Sequence, residues 1–504
     1  MSRADPATVI INRPDPAHDE GDRPDTLDRL RRAKDDLRRA FREFLAVPTI
    51  VITGFLVLAI LLEAADRATP GWLDPMRQLL QRRLFVDAGT TSDVLSAIAA
   101  GIITVTSITV SVLLLAVQQS AASMSSAVFD QFLRRRKNQL AFGYFIGLGL
   151  YTLVMLATVH KEANAVLGAS LGVVLTIIAL YVLLVLLYST VDQMRPSVVL
   201  GSIGELTLKA RRGQRELVER TRRRPASGFP VRERVTVGSS GYVTHIDLSA
   251  LGHALEGQPA GTEIVLRVSL GSFVAYGDAV ADLRGPPDIA REDDAGGGGD
   301  AGRAGAPRES LADAVRGALH LEADRDIGGD PAYGIEQIHN VGWTSISSAK
   351  SNPAPGLFAV HTLRDLLARW SDQSAHPRRA EGEVPTHDHH GVRWALPVVY
   401  TDDIVERVFG ALESLGVAAS ESMQHHSLAE VLRAIASLAG RLPAAQRHRA
   451  VAVVERLLPT VQGHVRTQLL DDTLALTAES LDAAGEHRVA ALVRAAAAGP
   501  KMSS

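Results

Sequence analysis

LAFGYFIGLGLYTLVMLATV at residues 140–159 and LGASLGVVLTIIALYVLLVLLYST at residues 167–190 decide the class of this chain. A bilayer core is about 30 Å thick, so a helix that crosses it needs roughly 20 apolar residues. Both runs reach that length, and neither contains Asp, Glu, Lys or Arg. One such charge at the centre would cost about 2.5–3.5 kcal/mol on the insertion scale. A soluble core helix of this length would carry a polar face, and these carry none. Only HKEANAV separates them, so they are expected to form a tight antiparallel hairpin.

Residues 45–62 and 94–117 meet the same test, which gives four expected spans. Lys and Arg near span ends set orientation. Arg29, Arg31, Arg32, Lys34, Arg38, Arg39 and Arg42 precede the first span, Arg134, Arg135, Arg136 and Lys137 join the second to the third, and Arg195, Lys209, Arg211, Arg212 and Arg215 follow the fourth. The opposite side has only Arg67, Arg77, Arg82, Arg83 and Lys161. This asymmetry puts both termini in the cytoplasm, and the expected location is the plasma membrane. Between the first two spans, Trp72, Leu73, Met76, Leu79, Leu80 and Leu84 recur at helical spacing, which fits an interfacial helix.

The second span is unusual for its hydroxyls. Thr104, Ser107, Ser111 and Gln118 follow at intervals of three, four and seven, which puts them on one helix face. Two readings stand side by side. Small hydroxyl residues let helices pack closely, or the face lines a water-filled path in an oligomer. No ionisable group sits within the expected spans, so a proton relay is not expected.

The rest of the chain sets the domain plan. Its 504 residues carry a net charge of -3, with 22% charged residues, and no cysteine. The balance gives no reason to expect nucleic acid, and disulfides and thiolate chemistry are excluded. Residues 1–44 are polar, then basic, and are expected to be disordered. Residues 45–195 form the membrane domain. Residues 196–285 hold a basic helix and a small β-rich, barrel- or sandwich-like module, with strands near 235–237, 241–247, 262–268 and 271–283 and helical turns over 248–256. Residues 286–310, with DDAGGGGDAGRAG, read as a flexible linker. Residues 311–500 read as mainly helical and cytoplasmic. There Asp330 can cap a helix with Pro331 at its first position. Thr401 is expected to cap a helix ending at Gly416, Ser427 and Glu430 to form a capping box, and 392–400 to be a strand. VSLGSFVAYGDAVADL is similar to the hammerhead pattern of biotin and lipoyl carriers, but it lacks their carrier lysine, so a spacer or assembly module is implied instead.

Two longer stretches carry a resemblance. VLSAIAAGIITVTSITVSVLLLAVQQSAASMSSAVFDQFLRRRKNQLAFGYFIG (94–147) and DIGGDPAYGIEQIHNVGWTSISSAKSNPAPG (326–356), followed by VRWALPVVY, resemble the bacterial membrane family named domain of unknown function 2254. The resemblance runs from about residue 45 to 460. Gly329 through Gln337 follow the family's Asp-Pro-Ala motif, whereas Ser347 through Ala354 replace its Asn-Asp-Pro element. It implies architecture and no established activity.

Chemistry candidates are few. His387, Asp388, His389 and His390, with His376 upstream and His425 and His426 downstream, contain zinc-ligand types, but adjacent histidines on a polar loop point apart. Asp330, Glu336, His339 and Asn340 are the polar residues of the family-like motif, and the last three share a helix face that could line a pocket. No phosphate loop, nucleophile elbow or metalloprotease helix occurs, so an enzyme is not the expectation, and neither is a cofactor. The leading expectation is a homo-oligomeric channel or transport-like assembly in the lipid bilayer, passing a small ion under control of its cytoplasmic region. A membrane scaffold holding a cytoplasmic protein partner is the alternative, and a metal-dependent enzyme using the histidine loop is third.

Overall fold

The computed structural model describes residues 45–68, 74–83, 85–123, 136–159, 165–193, 195–226, 228–286, 310–374, 396–461 and 466–498. The expected N-terminal tail, the 286–310 linker apart from its ends, and the histidine loop at 387–390 lie outside these residues. The chain divides into two compact units, one centred on residues 45–114 and 130–189 and one on 190–504.

The first unit contains α1 (Ala46–Ala68), α2 (Asp74–Arg83), α3 (Ala88–Ser123), α4 (Arg136–Thr158) and α5 (Val166–Gln193). Four are long and apolar enough to cross a membrane, over Ala46–Arg67, Ala88–Ser111, Asn138–Thr158 and Val166–Ser189. These are the four expected segments, with starts and ends shifted by no more than six residues. α4 is the middle of the bundle, and its Phe145, Leu148, Tyr151 and Met155 are fully buried. Close approach of α1 to α4 depends on two glycines one turn apart. A Cβ on Gly143 would sit 2.9 Å from the Pro48 backbone, and one on Gly147 would sit 2.5 Å from the Phe55 ring. Small residues at this spacing let two helix backbones pack without the hydrophobic drive that water supplies. The expected hairpin of α4 and α5 is present: the Tyr144 hydroxyl donates to the Leu175 carbonyl at 2.8 Å, and Tyr151 to Gly168 at 2.7 Å.

α1 runs six residues past its expected end, through two carboxylates. Glu63 pairs with Arg67 one turn on, at 2.5 Å. Asp66 is 8% exposed and accepts the backbone N–H groups of Leu167 and Gly168 at 3.2 and 3.1 Å. Those donors belong to the first turn of α5, where backbone N–H groups lack helical partners and the dipole favours a negative charge. The acid thus caps a neighbouring helix, which is why the helix can continue past it. Of the expected interfacial helix, α2 keeps Leu80 against the bundle core and leaves Leu79 exposed.

The second unit begins with α6 (Pro196–Gly213) and α7 (Arg215–Arg220). Two small sheets follow, and neither closes into a barrel. One has the order β1-β5-β3-β7 (Val231–Thr236, Ala279–Arg284, Glu263–Leu266, Val398–Val399) and the other β4-β2-β6 (Phe273–Val274, Gly241–Ile246, Leu319–Glu322). α8 (Leu248–Leu255) lies between β2 and β3, capped by Asp247, whose carboxylate accepts the N–H groups of Ser249 and Ala250. β6, which follows α9 (Leu311–Ala318), comes from a stretch expected to be helical, whereas β7 lies within the expected strand 392–400; both complete the β-rich module with residues beyond 310. β7 pairs in parallel with β3.

The helical part contains α10 (Pro331–Ile346), α11 (Ala354–Ser374), α12 (Ile404–Glu421), α13 (His425–Ala439), α14 (Ala444–Val461), α15 (Gln468–Ala483) and α16 (His487–Ala497). Ile338, Leu363, Leu412, Leu432, Val454 and Leu474 lie in one core. The basic helix α6 belongs to this core and not to the β module, because Val199, Leu200 and Ile203 are buried in it. Three expected punctuation marks are corrected. Gly416 does not end α12. It lies inside the helix where a Cβ would meet Leu457 at 2.8 Å, so it serves close packing. Thr401 does not cap α12: Asp403 stands at the N-cap position, and Asp402 beside it takes a two-pronged bond from Arg211. Ser427 and Glu430 form no capping box, because α13 starts at His425, Ser427 bonds Gln424, and Glu430 pairs with Arg433.

Candidate functional site

On α3 the hydroxyl face has a definite direction. Leu95, Ile102 and Thr109 are buried in the bundle, whereas Thr104, Ser107 and Ser111 are exposed. At 100° per residue the three hydroxyls lie nearly opposite the buried residues. Ser96, Ala97 and Ala100 continue the exposed face toward the start of the helix. Packing inside the bundle therefore does not account for the stripe. The Thr104 hydroxyl donates to the Ala100 carbonyl at 2.8 Å, and Ser111 to the Ser107 carbonyl at 2.9 Å. Each donor is thereby satisfied within the helix while its oxygen can still accept. Gln118 lies on α3, but its side chain is outside the described residues.

The family-like motif builds a second feature in the other unit. Asp330 caps α10 as expected, accepting the Tyr333 N–H at 3.1 Å. Its other oxygen accepts Nε of Arg325 at 2.7 Å, and Nη1 of Arg325 donates to Glu336 at 2.5 Å. The Arg325 side chain is 7% exposed, and its guanidinium lies between the rings of Tyr242 and Tyr333 at 5.2 and 4.7 Å from their centroids. Burial opposes its charge, but Asp330 and Glu336 outweigh it and hold the group above its ordinary pKa. Gly271, with φ +81°, comes so close that a Cβ there would lie 2.6 Å from Asp330 and 2.7 Å from Nη2 of Arg325. A carboxylate–guanidinium–carboxylate cluster thus ties β2 and the turn before β4 to the first turns of α10. Sequence reasoning found Asp330 and Glu336 and missed Arg325, which stands one residue before the recognised stretch, along with Tyr242 and Gly271.

His339 and Asn340 do not join Glu336 in a common contact. His339 Nε2 meets the Ser414 hydroxyl at 2.9 Å and its ring lies against Trp343, while Asn340 is exposed. Burial pushes His339 below the ordinary 6.5, opposed by the Asn340 amide and the Glu336 carboxylate. The unfolded chain therefore takes up this proton at a higher pH than the folded one. Stability should be fully present above pH 6.5 and fall as pH drops from there toward the folded pKa, by at most about 1.4 kcal/mol per unit. Denaturation midpoints at pH 7.5, 6.5 and 5.5 should show that slope flattened in His339→Phe; an unchanged slope would assign it to other groups. Among the described residues no group of three or more His, Asp or Glu side chains is placed to hold a metal ion.

No curated protein and no solved structure matches the chain. A family model described as "Predicted membrane protein (DUF2254)" matches residues 42–432, which takes in both the membrane helices and the Arg325 cluster. The chain is a member of this family of membrane proteins.

Proposed function

We propose that this protein is a homo-oligomeric channel or transport-like assembly of a bacterial inner membrane, with α3 facing the axis and the C-terminal unit controlling the path from the cytoplasm. The observation that carries this reading is the outward hydroxyl stripe of Thr104, Ser107 and Ser111, set in a helix apolar enough to span and left uncovered by its own bundle. Lipid offers such a face no hydrogen bonds, whereas a second copy or a water column does. The surplus of Lys and Arg on one side of the spans supports cytoplasmic termini.

Purified protein in liposomes should pass small ions, and Ser107→Leu or Ser111→Leu should cut the flux at least about tenfold by making the constriction dewet. Flux unchanged in both variants removes α3 from the path. A sealed, well-folded oligomer that instead retains a specific soluble protein through residues 311–498 would favour the scaffold.

A further inference from the structure

Separately from the membrane path, we infer that the C-terminal unit holds a binding site for a small organic oxyanion, a molecule with a terminal phosphate or carboxylate on a short apolar body, in the cavity beside Arg222. The cavity measures about 420 Å³ and is lined by Arg222, Glu263, Gln258, Leu255, Pro259 and Pro397, among others. That volume falls in the range of small-molecule sites, and it exceeds what a bare inorganic anion fills.

Its polar end is built in layers. The Arg222 backbone is fixed beside β7, its N–H donating to the Val398 carbonyl at 2.8 Å and its carbonyl accepting from Tyr400 at 2.9 Å. Behind the guanidinium stands Glu263, whose side chain is 2% exposed and whose Oε1 accepts both Arg222 Nη1 at 2.8 Å and the Ala226 N–H at 3.0 Å. So deep a carboxylate, already holding two donors, orients the arginine and is not available to a ligand. It engages only one end of the guanidinium. Among the described residues Nε and Nη2 of Arg222 have no partner, and these two nitrogens form the side-on edge that grips an oxyanion with two parallel bonds. Arg223 and Arg224 follow directly in the chain and are exposed. Leu255, Pro259 and Pro397 supply the apolar wall. The turn carrying it bends at Gly257 and Gly261, both with positive φ, and Phe229 closes against Gly261 where a Cβ would meet its ring at 2.5 Å.

The test is calorimetric titration of the full chain in neutral detergent with n-butyl phosphate, with n-butanol as the uncharged control. Saturable binding of the phosphate and none of the alcohol is expected. Arg222→Gln should weaken it at least about tenfold, the loss of one charge-assisted pair. Because that change strands Glu263, Ala260→Trp is the second variant: it fills the cavity from an exposed position and leaves the Arg222–Glu263 pair intact. It should abolish binding with an unchanged melting temperature. Phosphatidic acid added to the micelles distinguishes the sources: competition assigns the site to a lipid headgroup, and no competition assigns it to a soluble metabolite. No saturable binding, or equal binding by wild type and Ala260→Trp, overturns the site.

Discussion

Arg325→Met should destabilise the C-terminal unit by about 3–5 kcal/mol, the usual cost of removing one partner from a buried ion pair. The side chain of Asp330 is only 6% exposed, so its charge would be left with the Tyr333 N–H and little else. Methionine fills most of the volume between Tyr242 and Tyr333, so the loss would reflect charge more than a cavity. Glu336 is half exposed and can turn to water, so Glu336→Gln should cost less than about 1 kcal/mol. The double variant Arg325→Met with Asp330→Asn should recover most of the loss, because asparagine keeps the helix cap while removing the stranded charge. Urea denaturation in detergent, followed by a probe in this unit, measures all three. A loss below about 1 kcal/mol for Arg325→Met would mean that the cluster is not what joins the β module to α10.

Gly143→Val should open the α1–α4 contact and cost about 1–3 kcal/mol or more, the range for forcing bulk into a packed interface. The obstruction at Gly143 is the Pro48 backbone, which cannot swing aside as a side chain can. Gly147→Val should behave similarly against the stiff Phe55 ring. Gly149 lies on the same helix with its nearest neighbour, Ile102, at 3.7 Å, so Gly149→Ala should be neutral or slightly stabilising. Midpoints of denaturation by dodecyl sulfate would rank the variants. Equal midpoints for Gly143→Val and Gly149→Ala would contradict the packing described.

The membrane half was legible because hydrocarbon imposes a strict length and polarity rule, and residues 140–159 and 167–190 satisfy it with no ambiguity. Asp66 was not legible, because a carboxylate looks like the end of a span until the partner helix that it caps is known, and that helix begins 100 residues later. β6 has four residues and no alternation to detect, and β7 lies within the strand expected at 392–400, but the pairing of both with β2 and β3 is visible only in three dimensions. Gly416 was misread because the same residue type ends helices and lets them pack closely. Asp330 could be placed because capping is local, whereas Arg325, Gly271 and Tyr242 reach it from other elements. The hydroxyl stripe was fully present in the spacing of Thr104, Ser107 and Ser111, but spacing defines a face without saying whether it points into the bundle or away from it.

A channel built on α3 requires that this face meet water in the assembled protein. Because the chain has no cysteine, single cysteines at Ser107 and Ser111 can be probed with a charged, water-soluble methanethiosulfonate in liposomes, using Leu184→Cys on the exposed apolar face of α5 as the reference. Only a hydrated thiol ionises and reacts. With a hydrated stripe, Ser107→Cys and Ser111→Cys should be modified rapidly with loss of ion flux, and Leu184→Cys should not react. If all three positions are equally inert, the stripe faces lipid or a dry helix contact, and the channel reading is wrong.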